Sequence, residues 1–152
     1  MNYNFWYRNI GNLKELPKGF SWVSLFCTII FRLNLLYGGF IPMKVAYLLE
    51  STNAREILEY MIIPQMEEGR HGVEVAGMMF FFDNAYMLVE GSDIAARLQA
   101  LSEKTGVLLM ACDRCCYQRD IADKLIAPAG IGCFPNVYAA LAPAGVDQVI
   151  TL

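Results

Sequence analysis

The sequence is poor in histidine and in charge: His71 is its only histidine, and 18% of its 152 residues are charged. It contains no apparent Ser-His-Asp set and no paired-carboxylate spacing, which argues against the hydrolases that depend on them. A net charge of −3 supplies no general attraction for phosphate backbones or anionic lipid, so nucleic-acid binding is not expected. There is also no internal repeat or low-complexity tract. What is present is a hydrophobic fraction of 56%, enough for one compact core at this length.

Residues 1–42 differ from the rest of the chain. They are aromatic-rich, hold four basic side chains and one acidic side chain, and include the apolar run 19–31, which Arg32 follows. As a helix this run spans roughly 20 Å, short of the ~30 Å hydrocarbon core of a bilayer. A longer span reaching Pro42 places Arg32 near its middle, which insertion disfavours. The segment also has no clear signal-peptide cleavage site.

One hypothesis is that residues 1–42 are an artefact of a misassigned start. The codons for Tyr37-Gly38-Gly39 can contain a purine-rich ribosome-binding sequence, and Met43 follows shortly downstream. The domain is then residues 43–152. The alternative is a genuine hydrophobic extension, and membrane attachment is expected only in that case.

Residues 43–152 show a regular alternation of apolar strand-like runs and helical patterns. The predicted elements are strands over 43–49, 73–82, 107–111 and 146–152, a short extension over 86–89, and helices beginning near residues 53, 92, 113 and 135. Asn53 and Glu56 have capping-box spacing, and Ser92 and Gly106 suit the two ends of the second helix. The third helix is predicted to run to about Leu125.

The first helix has one apolar face and a proline near its end. Its predicted buried stripe is Ala54, Ile57, Leu58, Met61 and Ile62. Pro64 is expected to kink or end the helix, and Gly69 suits its C-cap.

The order β-α-β-α-β-α-(short β)-α-β predicts an α/β fold: a three-layer α/β/α sandwich around a mostly parallel five-stranded sheet, of flavodoxin-like type. Such sheets bind ligands beyond the carboxyl ends of their strands. The chain leaves the predicted strands there at Glu50, Asp83 and Cys112. No glycine-rich phosphate loop follows the first strand.

Four of the five cysteines lie between positions 112 and 133. Cys112 and Cys115 stand where a strand ends and a helix begins, so backbone N–H groups and the neighbouring Arg114 are expected to lower a thiol pKa and yield a reactive thiolate. Cys116 fits a buried core position better. Cys133 precedes another predicted helix start and is a candidate resolving thiol, or it lines the core.

These features resemble the DsrE/DsrF-like sulfur-relay family. The resemblance covers Met43 to Leu152 and is carried by the first strand, the block 83–88 after the apolar second strand, the block from Gly106 to Cys115, and the closing residues 145–152. The Cys112–Cys116 block and Cys133-Phe134-Pro135-Asn136 are similar to the SaoD subgroup.

The resemblance implies a sulfurtransferase-like protein that carries sulfane sulfur as a cysteine persulfide between a donor protein and an acceptor protein. It also implies a homo-oligomer or a complex of related subunits. The carrier matches Cys112, with Cys115 as the alternative and Cys133 as an assisting thiol. No metal or organic cofactor is expected. A reducing cytoplasm is the expected setting, because free reactive thiols persist there.

Two alternatives from other classes stay open. The Cys112-x-x-Cys115 pair at a helix start is also the arrangement of thiol-disulfide redox proteins. A structural or sensory zinc site would use Cys112, Cys115, Cys133 and His71, although the second half of that set lacks a paired-ligand spacing. His71 is otherwise expected to be a solvated turn residue at the opposite end of the sheet.

Overall fold

The computed structural model describes residues 43–152, and the hypotheses about residues 1–42 lie outside them. The strands are β1 (Lys44–Leu49), β2 (Glu74–Phe80), β3 (Leu108–Cys112), β4 (Ala129–Gly132) and β5 (Gln148–Thr151). The α-helices are α1 (Ala54–Ile57), α2 (Ile63–Glu67), α3 (Asp93–Thr105), α4 (Asp113–Gln118) and α5 (Phe134–Leu141). A π-helical turn, Leu58–Ile62, joins α1 to α2, and 3-10 segments cover Phe82–Leu88 and Ala142–Ala144. None of the helices in this part of the chain is both long enough and apolar enough to span a membrane.

The five strands form one sheet in the order β4-β3-β2-β1-β5, and every pairing in it is parallel. The predicted α/β sandwich is therefore confirmed. From β1 to β4 the chain steps across the sheet in one direction, and it then returns to place β5 beside β1. Because crossovers between parallel strands are right-handed, this reversal moves the last crossover helix to the other side of the sheet.

The sheet consequently has two unequal faces. The four-helix face lies under α1 to α4 and contributes most of the core, including Leu49, Phe80 and Leu109. The single-helix face lies under α5 and holds a small cluster of Met79, Phe81, Met110 and Val137. Alternate residues of each strand serve the two faces, as the pleat requires.

Two glycines let α5 approach the sheet. A Cβ on Gly77 would lie 2.9 Å from Leu141 Cδ2, and a Cβ on Gly132 would lie 2.8 Å from Asn136 Cβ. Both distances are shorter than carbon atoms tolerate. The close packing of α5 therefore depends on the missing side chains at these two positions.

The first helix differs from its prediction in two ways. Asn53 makes no side-chain capping hydrogen bond, so the capping box is wrong. The π-helical turn inserts an extra residue, which leaves Met61 58% exposed and buries Ile63 in its place, whereas Ile62 is buried as predicted. Pro64 explains the insertion, since it lacks the N–H that a continuous α-helix would need there. Gly69 ends the helical region with φ +69°, as predicted.

Two further predictions were wrong in extent. The expected strand extension over 86–89 is a 3-10 segment, with only a bridge between Val89 and Leu125. Helix α4 ends at Gln118 rather than near Leu125, because Asp120 takes a left-handed φ of 54° that an α-helix does not allow. By contrast, α3 has both predicted ends: Ser92 Oγ accepts from the Ala95 N–H at 3.2 Å, and Gly106 is left-handed.

Candidate functional site at the carboxyl edge of the sheet

The reactive-cysteine candidates gather at the carboxyl edge of β3 and β4. Cys112 is the last residue of β3, and its register partner in β4 is Gly132, so Cys133 follows directly beside it. The helices α4 and α5 begin immediately after these two cysteines. Parallel pairing thus brings residues twenty-one positions apart in sequence to neighbouring strand ends.

Cys112 caps α4 with its sulfur. The Cys115 N–H donates to Cys112 Sγ at 3.4 Å, and the side chain is partly exposed while packing against the single-helix face. Burial nevertheless raises the pKa of Cys112, and the neighbouring Cys115 side chain raises it further, whereas the Cys115 N–H lowers it. The prediction of a lowered pKa at Cys112 is therefore wrong, because desolvation outweighs one backbone donor.

Cys115 is the interior member of the pair. It is 5% exposed, and its sulfur accepts the Phe82 N–H at 3.2 Å. Phe82 directs this N–H from a left-handed backbone with φ 51°, a conformation that few non-glycine residues adopt. The 3-10 segment that replaces the predicted strand extension therefore supplies a donor to the site.

The other two cysteines differ in their surroundings. Cys116 is fully buried in the core of the four-helix face, and burial raises its pKa to about 11, which agrees with the predicted core role. Cys133 is partly exposed and is the N-cap residue of α5. Its thiol donates to Asn136 Oδ1 at 3.1 Å, and its backbone N–H donates to the same oxygen at 3.0 Å.

Arg119 links two elements of this edge by hydrogen bonds, although the sequence analysis did not select it as the cation of the site. Arg119 donates to Asp83 Oδ1 through Nε at 2.9 Å and through Nη2 at 2.6 Å, and Nη1 reaches the Cys115 carbonyl oxygen at 3.3 Å. The Asp83 carboxylate raises the pKa of Arg119. The expected cation, Arg114, donates its backbone N–H to Asp113 Oδ1, and within residues 43–152 its guanidinium makes no hydrogen bond or ion pair. The sequence feature that could have indicated Arg119 is its position four residues after Cys115, about one helical turn away.

The proposed zinc ligands do not come together. Among residues 43–152, no group of three or more histidine, cysteine or acidic side chains is placed to hold a metal ion. His71 lies beyond the opposite sheet edge and is engaged on both ring nitrogens, with Tyr47 Oη at 2.8 Å and Gln65 Oε1 at 3.1 Å. It is thus a partly buried structural residue rather than a solvated one, and burial lowers its pKa.

Aromatic side chains surround the edge on the single-helix face. Phe81 stacks on Phe134 with ring centroids 5.2 Å apart, and Phe134 contacts Tyr138 at 6.1 Å. Phe82, Phe134 and Tyr138 are about half exposed or more. The cysteines therefore lie next to a partly solvent-exposed aromatic surface.

A cleft that includes charged side chains lies beyond the carboxyl ends of β1 and β2. It has a volume of about 480 Å³, and its lining includes Glu50, Arg55, Asp83 and Phe82. The predicted edge residues Glu50 and Asp83 thus border one cleft, and Phe82 joins that cleft to the cysteine pair.

Comparison with known proteins supports the fold but does not identify the reaction. No protein-family model matches the chain, and no curated protein matches it. The solved structure of the ychN protein from E. coli is similar, with a TM-score of 0.55 at 16% identity over 74% of this chain and 100% of that chain. A conserved protein of unknown function from Bacteroides thetaiotaomicron gives a TM-score of 0.50 at 10% identity, over 71% of this chain and 94% of that one. Residues 43–152 therefore have the DsrE-like α/β fold.

Proposed function

We propose that the protein is a sulfur-relay protein that carries sulfane sulfur as a persulfide on Cys112. The observation that supports this most is the placement of Cys112: a partly exposed sulfur at the carboxyl edge of a parallel sheet, holding a backbone N–H at 3.4 Å. A protein partner can reach such a sulfur, and the N–H remains available to a negatively charged sulfur. The DsrE-like fold is compatible with this role.

In the loading step, the Cys112 thiol first loses its proton to solvent. The thiolate attacks the outer sulfur of a donor persulfide R–S–SH, so that a new S–S bond forms on Cys112, and the donor leaves as the thiolate R–S⁻. Because the pKa of Cys112 is raised, only a minor fraction is thiolate at neutral pH, and loading should accelerate as pH rises. In the unloading step an acceptor thiolate attacks the outer sulfur, and Cys112 leaves as a thiolate.

The partners are then a sulfur-donor protein and an acceptor protein, and the assembly is a homo-oligomer or a complex with related subunits. The half-exposed aromatic side chains beside the cysteines, Phe82, Phe134 and Tyr138, support a protein contact at this edge. We place this chemistry in a reducing cytoplasm, where Cys112, Cys115 and Cys133 would persist as free thiols.

Intact mass spectrometry tests the carrier role. The reduced protein is incubated with a persulfide donor, and a gain of one sulfur atom is expected in the first product formed, before any later loss of that sulfur. Cys112→Ser should abolish the gain, and Cys133→Ser, as the matched control on the neighbouring strand end, should retain it. A gain that persists in Cys112→Ser and disappears in Cys133→Ser would move the carrier to Cys133.

A second function, thiol-disulfide exchange, is supported by one specific observation. The Cys112 sulfur caps α4 by accepting the Cys115 N–H, which places both cysteines of a C-x-x-C pair at one helix start. Equilibrium titration with dithiothreitol measures this directly. A reversible Cys112–Cys115 disulfide without any persulfide intermediate would favour redox exchange over relay.

A further inference from the structure

The two sulfurs of the Cys112-x-x-Cys115 pair have opposite access to solvent. Cys112 is partly exposed, whereas Cys115 is 5% exposed and lies behind it. A donor protein can therefore load Cys112 but has little access to Cys115. Any reaction of the Cys115 sulfur has to involve a group already inside the site.

Each sulfur of the pair accepts its own backbone donor. Phe82 N–H points at Cys115 Sγ at 3.2 Å, and Cys115 N–H points at Cys112 Sγ at 3.4 Å. The left-handed φ of Phe82 is what aims the first donor, so the local backbone is held in an uncommon conformation at this contact. The Phe82 N–H is thus in place to hydrogen-bond the Cys115 sulfur while it attacks, and the Cys112 sulfur lies against the same helix start, which makes Cys115 a candidate internal nucleophile.

Resting on the proposed function, we propose a further activity: Cys115 discharges the persulfide on Cys112 as hydrogen sulfide, so that the protein reduces persulfides as well as carrying them. The Cys115 thiolate attacks Cys112 Sγ, the inner sulfur of Cys112–S–SH. The Cys112–Cys115 disulfide forms, the bond to the outer sulfur breaks, and that sulfur leaves as HS⁻. The persulfide is reduced and the pair of cysteines is oxidised by two electrons.

The cycle closes with a dithiol reductant. A dithiol of the thioredoxin or dithiothreitol class reduces the Cys112–Cys115 disulfide and becomes a disulfide itself. The sum is one donor persulfide and one dithiol converted to one donor thiol, one sulfide and one disulfide. Since the attack by Cys115 is intramolecular, it competes favourably with acceptor thiols in solution, and it sets how long a sulfur atom stays on Cys112.

The geometry favours Cys115 over the other cysteines for this step. Cys116 faces the core of the opposite sheet face, and burial raises its pKa to about 11. The Cys133 thiol uses its proton in the bond to Asn136 and belongs to a different helix start. Among the cysteines of residues 43–152, only Cys115 both donates its N–H to the Cys112 sulfur and accepts a backbone N–H on its own sulfur.

The test is a single-turnover experiment on the full chain. Reduced protein, freed of reductant, receives one equivalent of cysteine persulfide, and free sulfide and intact mass are followed over time. The wild type should release about one equivalent of sulfide and end two hydrogens lighter. Cys115→Ser should keep the added sulfur and release sulfide more slowly by about tenfold or more. Cys116→Ala, the matched control one residue away, should behave as the wild type.

Trypsin locates the bond, since cleavage after Arg114 separates the two cysteines into peptides 105–114 and 115–119. The expected product links these two peptides and persists in Cys116→Ala. A wild type that keeps its added sulfur and forms no such link would overturn the reductive step while leaving the carrier role in place. Failure of every protein, Cys115→Ser included, to gain sulfur would instead overturn the carrier role itself.

Discussion

The two faces of the sheet are closed in different ways. On the four-helix face, successive crossovers bury a continuous core that includes Leu58, Phe80 and Leu98. On the single-helix face, α5 covers only a small cluster and leaves Phe134 and Tyr138 largely in water. The strand order accounts for the difference, because only the crossover that reverses direction reaches the second face.

The comparison teaches where stability and reactivity reside. Cys116, on the four-helix face, is fully buried among apolar side chains, whereas Cys112, on the single-helix face, is partly exposed. The same short helix start therefore presents one inert thiol, Cys116, and one accessible thiol, Cys112, which lie one and three residues from Cys115. Each of the following predictions either breaks this contrast or measures it more closely.

The largest difference is expected between two leucine truncations. Leu98→Ala removes a fully buried side chain from the four-helix face and should lower the free energy of unfolding by about 3–5 kcal/mol. Leu141→Ala removes the partly buried leucine that packs over Gly77 and should cost less than about 2 kcal/mol. Urea denaturation of both variants measures the contrast. Equal losses would show that the two faces stabilise the fold alike.

The next effect concerns pH and Cys116. The ordinary thiol pKa of 9.0 is raised to about 11 in the folded protein, so between these values the unfolded chain loses the proton that the folded chain keeps. The unfolded state then binds fewer protons, and the stability that Cys116 contributes below pH 9 declines as pH rises, by about 2–3 kcal/mol at pH 11. Cys116→Ala should show a shallower decline in denaturation measured at pH 8 to 11. An identical slope in both proteins would contradict the sealed environment.

A smaller effect is expected from the glycines beneath α5. Gly132→Ala places a Cβ 2.8 Å from Asn136 Cβ, which cannot move without shifting the helix start, and should cost about 1–3 kcal/mol. Gly77→Ala meets the end of the flexible Leu141 side chain and should cost less. Thermal unfolding of the two variants provides the comparison. The reverse order would mean that α5 is anchored at its far end rather than beside Cys133.

The smallest effect is expected at the edge where the two faces meet. Arg119 joins α4 to the 3-10 segment through Asp83, but the Asp83 side chain is 85% exposed. Asp83→Asn should therefore change the free energy of unfolding by no more than about 1 kcal/mol. Denaturation at low and high salt checks this. A larger, salt-resistant loss would show that this pair, and not packing, holds the cysteine edge together.

The overall fold could be predicted because its signals are local and repeated. Apolar runs and helix caps such as Ser92 and Gly106 indicate alternating elements, and right-handed crossovers then limit the sheet to few topologies. The errors were also local. Neither the π-helical turn before Pro64 nor the early end of α4 at Asp120 follows from apolar periodicity, because the first reflects the missing N–H of Pro64 and the second a left-handed φ at Asp120, which the spacing of apolar residues does not report.

The candidate site was predicted less completely. The placement of Cys112 at the carboxyl edge followed from the end of the predicted third strand, since parallel strands align their carboxyl termini. Cys133 was predicted only to precede a helix start, and the bounds of β4, whose register places Cys133 beside Cys112, were not predicted. The direction of the Cys112 pKa shift was wrong because burial depends on tertiary packing, which spacing does not report. The Phe82 donor had no sequence signal, since nothing about a phenylalanine indicates a positive φ.

The sealed thiol next to the reactive pair gives the molecule a built-in reference for labelling. A small alkylating reagent that reaches Cys116 does so only when the core has opened, so its modification reports global unfolding under the same conditions in which labelling of Cys112 reports the folded edge. Every variant discussed above that keeps Cys116 can be judged for foldedness in the sample used for its sulfur chemistry.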